Sequence, residues 1–216
     1  MEMKIATINL YGQTGMNPSK LLELEYFIEC HKLDIVCLQE TNISENTFSE
    51  CRFITSSRLH IIINNSSTNY GTYILLKKTF SISNISKDPY GRFISVDVDS
   101  KFTVANAYLH SGTDQKSRID RESFISDIIP NLMLCKKQAG FLCGDFNSIV
   151  EKKDSLVHPD QKLSKCFKKL IDLYKLRDVF RQLYPSAVHF SRYYNWRGIR
   201  GATRLDKIYE WGAVSV

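Results

Sequence analysis

Five polar residues stand just past the ends of short apolar runs. Asn9 follows Lys4-Ile5-Ala6-Thr7-Ile8, and Glu40 follows Asp34-Ile35-Val36-Cys37-Leu38 and Gln39. Tyr108 closes the run from Phe102, and Asp145 and Asn147 follow the run Ala139 to Cys143. Two carboxylates, two amides and a phenol suit a hard cation and a phosphate. Mg²⁺ takes carboxylate oxygens and keeps most of its waters, and amide N–H groups donate to non-bridging phosphate oxygens. Taken singly, each residue also reads as a turn or a solvated strand end. Their order and spacing together are what point to a site. Other chemistries lack their residues. The cysteines at 30, 37, 51, 135, 143 and 166 include no C-x-x-C pair, which excludes a zinc or dithiol motif of that kind. A glycine-rich loop with lysine for a nucleoside triphosphate is absent too.

These residues can meet only if the runs lie side by side as strands, with their C-terminal ends on one edge, where open α/β sheets place their sites. The pattern supports that. Strands are expected at Lys4–Ile8, Asp34–Leu38, Leu59–Ile63, Thr72–Leu76, Phe80–Ile85, Phe102–Tyr108, Ala139–Cys143 and Arg204–Tyr209. The segment Arg92–Asp99 alternates Ile94, Val96, Val98 against Ser95, Asp97, Asp99 and predicts a half-buried strand. Helical spacing of Leu21, Leu24, Phe27 and Ile28 predicts a helix capped by Ser19. A second helix is expected over Arg118–Leu134, with Ile125, Ile128, Ile129 and Leu132 inward and a kink or a break at Pro130. Leu163, Phe167, Leu170, Ile171 and Tyr174 make the clearest amphipathic helix. Many short strands with few helices predict two sheets packed face to face with helices outside.

At 216 residues the chain reads as one domain, 1–216, large enough to bury a core without staples. A net charge of +6 favours an anionic partner without proving one. The strand-like start lacks the leader of a signal peptide, and no apolar stretch reaches the length of a membrane span. The expectation is therefore no membrane, reduced cysteines, and residence in cytoplasm and nucleus.

The motifs Ile8-Asn9, Leu38-Gln39-Glu40-Thr41, Asn106-Ala107-Tyr108, Gly144-Asp145-Phe146-Asn147 and Arg204-Leu205-Asp206 resemble those of the exonuclease-endonuclease-phosphatase (DNase I-like) superfamily. Arg121-Glu122-Ser123-Phe124, Leu176-Arg177-Asp178-Val179-Phe180 and Thr203-Arg204-Leu205-Asp206-Lys207-Ile208-Tyr209 look most like the endonuclease domain of a non-LTR retrotransposon. The resemblance covers nearly the whole chain. It implies a four-layer α/β sandwich of two mostly antiparallel sheets and Mg²⁺-assisted (alternatively Mn²⁺-assisted) hydrolysis of DNA, leaving a 3′-hydroxyl. By the same resemblance Glu40 binds the metal and Asn9 organises metal and phosphate. Tyr108 donates to the scissile phosphate, Asp145 orients the attacking water, and Asn147 holds a phosphate oxygen. Asp206 would orient a histidine. Double-stranded DNA would be the partner, and a reverse-transcriptase polyprotein the source.

Two departures from the family pattern stand out. His110 and Ser111 occupy positions where the family has proline and asparagine, so Ser111 is the expected substrate contact there and His110 a rim residue. The family's Ser-Asp-His strand is not found after Asp206, which predicts a missing last strand, a truncated copy and impaired activity. The stretch His189–Arg204 mixes arginines, aromatics and glycines as a DNA-probing hairpin would, with Arg192, Tyr194, Arg197, Arg200 and Arg204 as contacts. Two alternatives remain: an apurinic/apyrimidinic repair endonuclease, and a catalytically dead nucleic-acid-binding remnant.

Overall fold

The computed structural model describes residues 3–11, 18–41, 58–66, 71–133, 137–157, 163–196 and 198–214. In chain order the first strands are β1 (Ile5–Asn9), β2 (Ile35–Gln39), β3 (Leu59–Asn65) and β4 (Gly71–Lys77), with helix α1 (Pro18–His31) between β1 and β2. They form one sheet in the order β1-β2-β4-β3. Next come β5 (Ile82–Lys87), β6 (Phe93–Val98) and β7 (Phe102–Tyr108), then α2 (Gln115–Ser123) and α3 (Ile129–Met133), and β8 (Gly140–Asp145). The chain continues through α4 (Lys165–Tyr174), β9 (Arg177–Asp178), α5 (Val179–Leu183), the hairpin β10 (Arg192–Trp196) and β11 (Ile199–Thr203), and β12 (Asp206–Trp211). The second sheet has the order β5-β6-β7-β8-β12-β9.

Three apolar layers hold this together. Leu21, Leu24 and Ile28 of α1 pack on Val36, Leu38, Tyr73 and Leu75 of the first sheet. Ile35, Cys37, Ile74 and Leu76 face Ile94, Val96, Val98 and Val104 across the gap between sheets. Phe124, Ile125, Ile129, Phe167 and Leu170 cover the far side of the second sheet. The result is helix, sheet, sheet, helix, the four-layer sandwich that the motifs implied.

The backbone pairing explains why the strand-end residues converge. β1 and β2 are parallel, with Asn9 opposite Gln39. β7 and β8 are parallel, with Tyr108 opposite Asp145. Both parallel pairs therefore deliver their C-terminal ends to the same edge. β12 runs antiparallel to β8, so its first residue, Asp206, lies opposite Asp145.

Several local expectations need correction. The first helix begins at Pro18 rather than at a Ser19 cap, and Phe27 is 40% exposed. The alternation in Arg92–Asp99 does not mark a half-buried strand: β6 is buried on both faces. Asp97 accepts from Thr103 Oγ1 at 2.6 Å and from Asn84 Nδ2 at 2.9 Å, so its polar face is satisfied inside the protein. The helix expected over Arg118–Leu134 starts at Gln115 and is interrupted before the proline by a π turn, Phe124–Ile128. Pro130 cannot donate to the carbonyl four residues back and its ring crowds it. The helix widens just upstream, and the Ile129 N–H bonds to the carbonyl of Phe124. Leu163 precedes α4, whose N-terminus is capped by the Ser164 hydroxyl accepting from the Phe167 N–H at 2.9 Å.

Candidate active site

Asn9 is the centre of the arrangement. Its Nδ2 donates to Glu40 Oε1 at 2.9 Å and to Asp145 Oδ2 at 2.8 Å, and its Oδ1 accepts from the Tyr11 N–H at 2.7 Å. One amide thus ties a carboxylate of the first sheet to a carboxylate of the second. Both of its N–H groups are spent within the protein. Asp145 is 6% exposed, and its other oxygen accepts from the Asn147 backbone N–H at 2.9 Å. Asn147 gives one side-chain N–H to the Leu109 carbonyl at 2.8 Å and keeps a second. Both Glu40 and Asn147 are held at positive φ, 50° and 42°. That conformation is uncommon outside glycine and concentrates at functional sites.

The electrostatics are those of a crowded acidic site. Burial pushes the Asp145 carboxyl up to about 7, helped by the neighbouring charge of Asp206 and by Glu40, against the pull of the Asn147 and Asn9 donors. Burial raises Asp206 as well, with Glu40 adding to it. Asp206 Oδ1 is buried and has no hydrogen-bond partner. The Tyr108 hydroxyl lies within hydrogen-bonding reach of Glu40 and Ser111, and burial with the Glu40 charge raises it well above the ordinary phenol range. Tyr108 therefore stays protonated and is a donor. The structure places Asn9, Glu40, Tyr108, Ser111, Asp145, Asn147 and Asp206 together.

Among the described residues no three His, Cys, Asp or Glu side chains converge to cage an ion by themselves. Mg²⁺ needs only one or two carboxylates because it keeps its waters. Burial and neighbouring carboxylate charge raise Asp145 and Asp206, and Asp206 keeps an unpartnered buried oxygen, an arrangement that a divalent cation beside Glu40 would neutralise. The residues present fit the ion.

Motif residues to which the sequence reading assigned no role support this set. Gln39 and Asn106, both fully buried, bridge the two sheets directly beneath the site: Gln39 Nε2 donates to Asn106 Oδ1 at 2.6 Å. Asn106 Nδ2 in turn donates to the carbonyls of Leu38 and Tyr73. This link fixes β2, which carries Glu40, against β7, which carries Tyr108. Arg121, 5% exposed, donates to the carbonyls of His110 and Gly112 and so shapes the loop bearing Ser111. The only sequence signal for Arg121 was its place in a motif, since an arginine on a helix otherwise reads as surface.

Gly144 is required by close approach. A Cβ there would lie 1.9 Å from the Ala107 carbonyl oxygen at φ +148°. The neighbour is backbone, so nothing can yield. Gly144→Ala is expected to cost about 3 kcal/mol or more. The check is a urea midpoint that drops at unchanged slope.

The hairpin expectations divide. Arg192 and Arg200 are exposed, but Arg192 pairs with Thr203 and Arg200 with Asn195. Paired residues share a face, so the two arginines sit on opposite faces of the ribbon. Tyr194 shares the Arg192 face and its ring lies against the backbone of Gly201. Arg197 lies outside the described residues. Arg204 is not a surface contact at all: it is 4% exposed and locked to Asp154 and Asp178. Its guanidinium serves the interior.

No family model matches the chain. Over 155 residues, 68% of the chain, it is 28% identical to a DNA-(apurinic or apyrimidinic site) endonuclease of Dictyostelium discoideum, and that match spans 42% of the relative's length. Among solved structures it is similar to an AP endonuclease from Archaeoglobus fulgidus, at a TM-score of 0.76 and 21% identity, covering 97% of this chain and 87% of that one. A 3′-5′ exonuclease from Neisseria meningitidis gives 0.74 and 19%, covering 98% and 87%. An AP endonuclease from Leishmania major gives 0.71 and 18%, covering 97% and 79%. With its two mixed sheets flanked by helices, the chain has the DNase I-like fold found in AP endonucleases.

Proposed function

We propose that the chain is a divalent-cation-dependent DNA phosphodiesterase that cuts the backbone endonucleolytically. The observation that carries this reading is the Asn9 amide bridging Glu40 and Asp145, with Tyr108 and Asp206 beside them. Glu40 would hold Mg²⁺, which when bound supplies stabilisation of the charge developing on the phosphate. Tyr108 and the remaining Asn147 N–H donate to phosphate oxygens. Asp145 orients a water and takes its proton, a role that suits a carboxyl raised to about 7. The water oxygen bonds to phosphorus as the P–O3′ bond breaks, and the 3′-oxygen takes up a proton from solvent, leaving a 3′-hydroxyl and a 5′-phosphate. Asp206 Oδ1 is a buried acceptor without a partner, so added imidazole is expected to raise turnover.

The relatives favour an abasic site as the substrate, because AP endonucleases recur among them. Nicking of intact duplex by a retrotransposon-type enzyme is the second reading, supported by the exposed Arg192, Tyr193 and Arg200 of the hairpin. Incubation of a duplex bearing one abasic site, an intact duplex and supercoiled plasmid with Mg²⁺ separates them. Incision of the abasic strand alone supports the first reading, and equal nicking of plasmid the second. Glu40→Gln should abolish either. Salt-sensitive DNA binding without cleavage, in parent and variant alike, would leave a binding remnant and no enzyme.

A further inference from the structure

His110 stands on the edge of the site, two residues past Tyr108, and the proposed reaction gives it no task. Its backbone is held from behind: Arg121 Nη1 donates to the His110 carbonyl at 2.7 Å and to the Gly112 carbonyl at 3.2 Å. Its ring is held as well. Nδ1 meets the Ser111 carbonyl at 2.5 Å, and a carbonyl can only accept, so Nδ1 carries a proton. Nε2 is then the nitrogen that gains and loses one. The Ser111 side chain reaches the Tyr108 hydroxyl, so the ring is tied to the residue that touches the phenol. His110 is half-buried, which keeps it in touch with solvent. The other described histidines are placed elsewhere. His31 ends α1, His60 is in β3 with Nε2 on the Phe80 carbonyl, and His189 faces Phe180.

We propose that His110 relays a solvent proton to the leaving 3′-oxygen. This rests on the reading of the chain as a DNA phosphodiesterase. Water held at Asp145 attacks in line, so the leaving oxygen departs on the opposite side of phosphorus. Asp145 is taking a proton at that moment and cannot give one. A second group must serve the leaving oxygen, and the edge offers few. Asp206 stands on β12, across Asp145 from Tyr108 and its loop. Tyr108 holds its own proton firmly, because burial and the Glu40 charge raise it well above the ordinary phenol range. The Ser111 hydroxyl and the Asn147 amide do not exchange protons near neutral pH. Imidazole is the side chain that both binds and releases one there. As the P–O3′ bond breaks, its electron pair stays on oxygen and takes the proton from Nε2 of the imidazolium. The neutral ring then recovers a proton from solvent and is unchanged over one turnover. The ties at residues 110–112 keep the ring at the edge, so little freedom is lost when the substrate arrives. The bond to the Ser111 carbonyl does not by itself call for an imidazole, since an amide N–H would make it equally.

The test uses the full chain with Mg²⁺ in single-turnover reactions on two duplexes, each carrying one tetrahydrofuran abasic analogue. In the second duplex sulfur replaces the 3′-oxygen of the linkage to be cut. A thiol ionises at about pH 8.5, so sulfur leaves as a thiolate and needs no proton donor. His110→Asn keeps an N–H for the Ser111 carbonyl and removes the second ring nitrogen. It should cut the oxygen duplex roughly 10²–10⁴-fold more slowly than the parent, the contribution of a positioned general acid, and cut the sulfur duplex at nearly the parent rate. Its affinity for the oxygen duplex in EDTA should match that of the parent, as expected of a loop still in place. Equal losses on both duplexes, or no loss on either, would assign His110 to the loop and overturn the proposal. A parent that cuts neither duplex and nicks no plasmid would instead overturn the nuclease reading itself.

Discussion

Asp154→Ala is expected to lower the melting temperature by roughly 6–20 °C, the size that follows from about 3–5 kcal/mol lost when one partner of a buried ion network is removed. Asp154 is fully buried and meets three cations: Arg181, Arg204 Nε at 3.0 Å and Lys207 Nζ at 2.9 Å. Arg204 is shared with Asp178 at 2.6 Å. Burial alone would push the Asp154 carboxyl up, but Lys207 and Arg204 pull it down to about 2. Its folded pKa is therefore below its unfolded value. The stability it contributes is present above about pH 4 and is lost as pH falls through about 2. Alanine leaves three positive groups facing one another in the interior. Lys207 is the worst placed, since burial already pulls its pKa down. Adding Lys207→Met to Asp154→Ala should restore part of the loss, because an apolar side chain then fills the volume of a stranded charge. Differential scanning calorimetry of the single and double variants checks both statements. A single variant that melts with the parent would show that Asp154 is not the hub of the network.

The same network explains one limit of reading the site from sequence. Arg204 looked like the last arginine of a basic hairpin, since neighbours along the chain suggested exposure. Its partners are Asp154, fifty residues earlier, and Asp178, twenty-six earlier. Nothing local in the sequence says that those acids will meet it. Ser95 and Asp97 misled for a related reason. Alternation marks one polar face, but β6 is interior to its sheet and the polar face is covered, so Asp97 is satisfied by Thr103 and Asn84. The Gln39–Asn106 bridge escaped because a buried amide pair leaves no periodic trace. By contrast, Asn9, Glu40, Tyr108 and Asp145 were legible. Each stands at the end of a parallel-paired strand, and two parallel pairs with short ends must deliver them to one edge. Strand-end position is encoded locally, whereas burial of a charge is decided by partners far along the chain.

Asp145→Asn is expected to reduce kcat by roughly 10²–10⁴-fold, the contribution of a positioned general base. The geometry makes this substitution informative. Both carboxylate oxygens accept from N–H donors, Oδ1 from the Asn147 backbone and Oδ2 from the Asn9 side chain. An amide has one acceptor oxygen, so one of these donors must face an N–H group and its contact is lost. That loss costs about 1 kcal/mol. It is opposed by removal of a buried charge whose pKa is raised to about 7 by burial and by Asp206. The two effects nearly offset, so the melting temperature should stay within roughly 4 °C of the parent. Substrate KM should also change little, because Tyr108, Ser111 and Asn147 remain to meet the phosphate. A collapse of kcat at near-constant KM and stability is the signature of a proton acceptor. If instead KM rises while kcat is kept, Asp145 contributes to binding the substrate and the water must be activated elsewhere. Asn9→Ala gives the complementary control. It removes the bridge between Glu40 and Asp145 without removing either carboxylate, and should lower kcat while leaving DNA affinity measured in EDTA unchanged. Loss of that affinity would place Asn9 at the phosphate and not between the carboxylates.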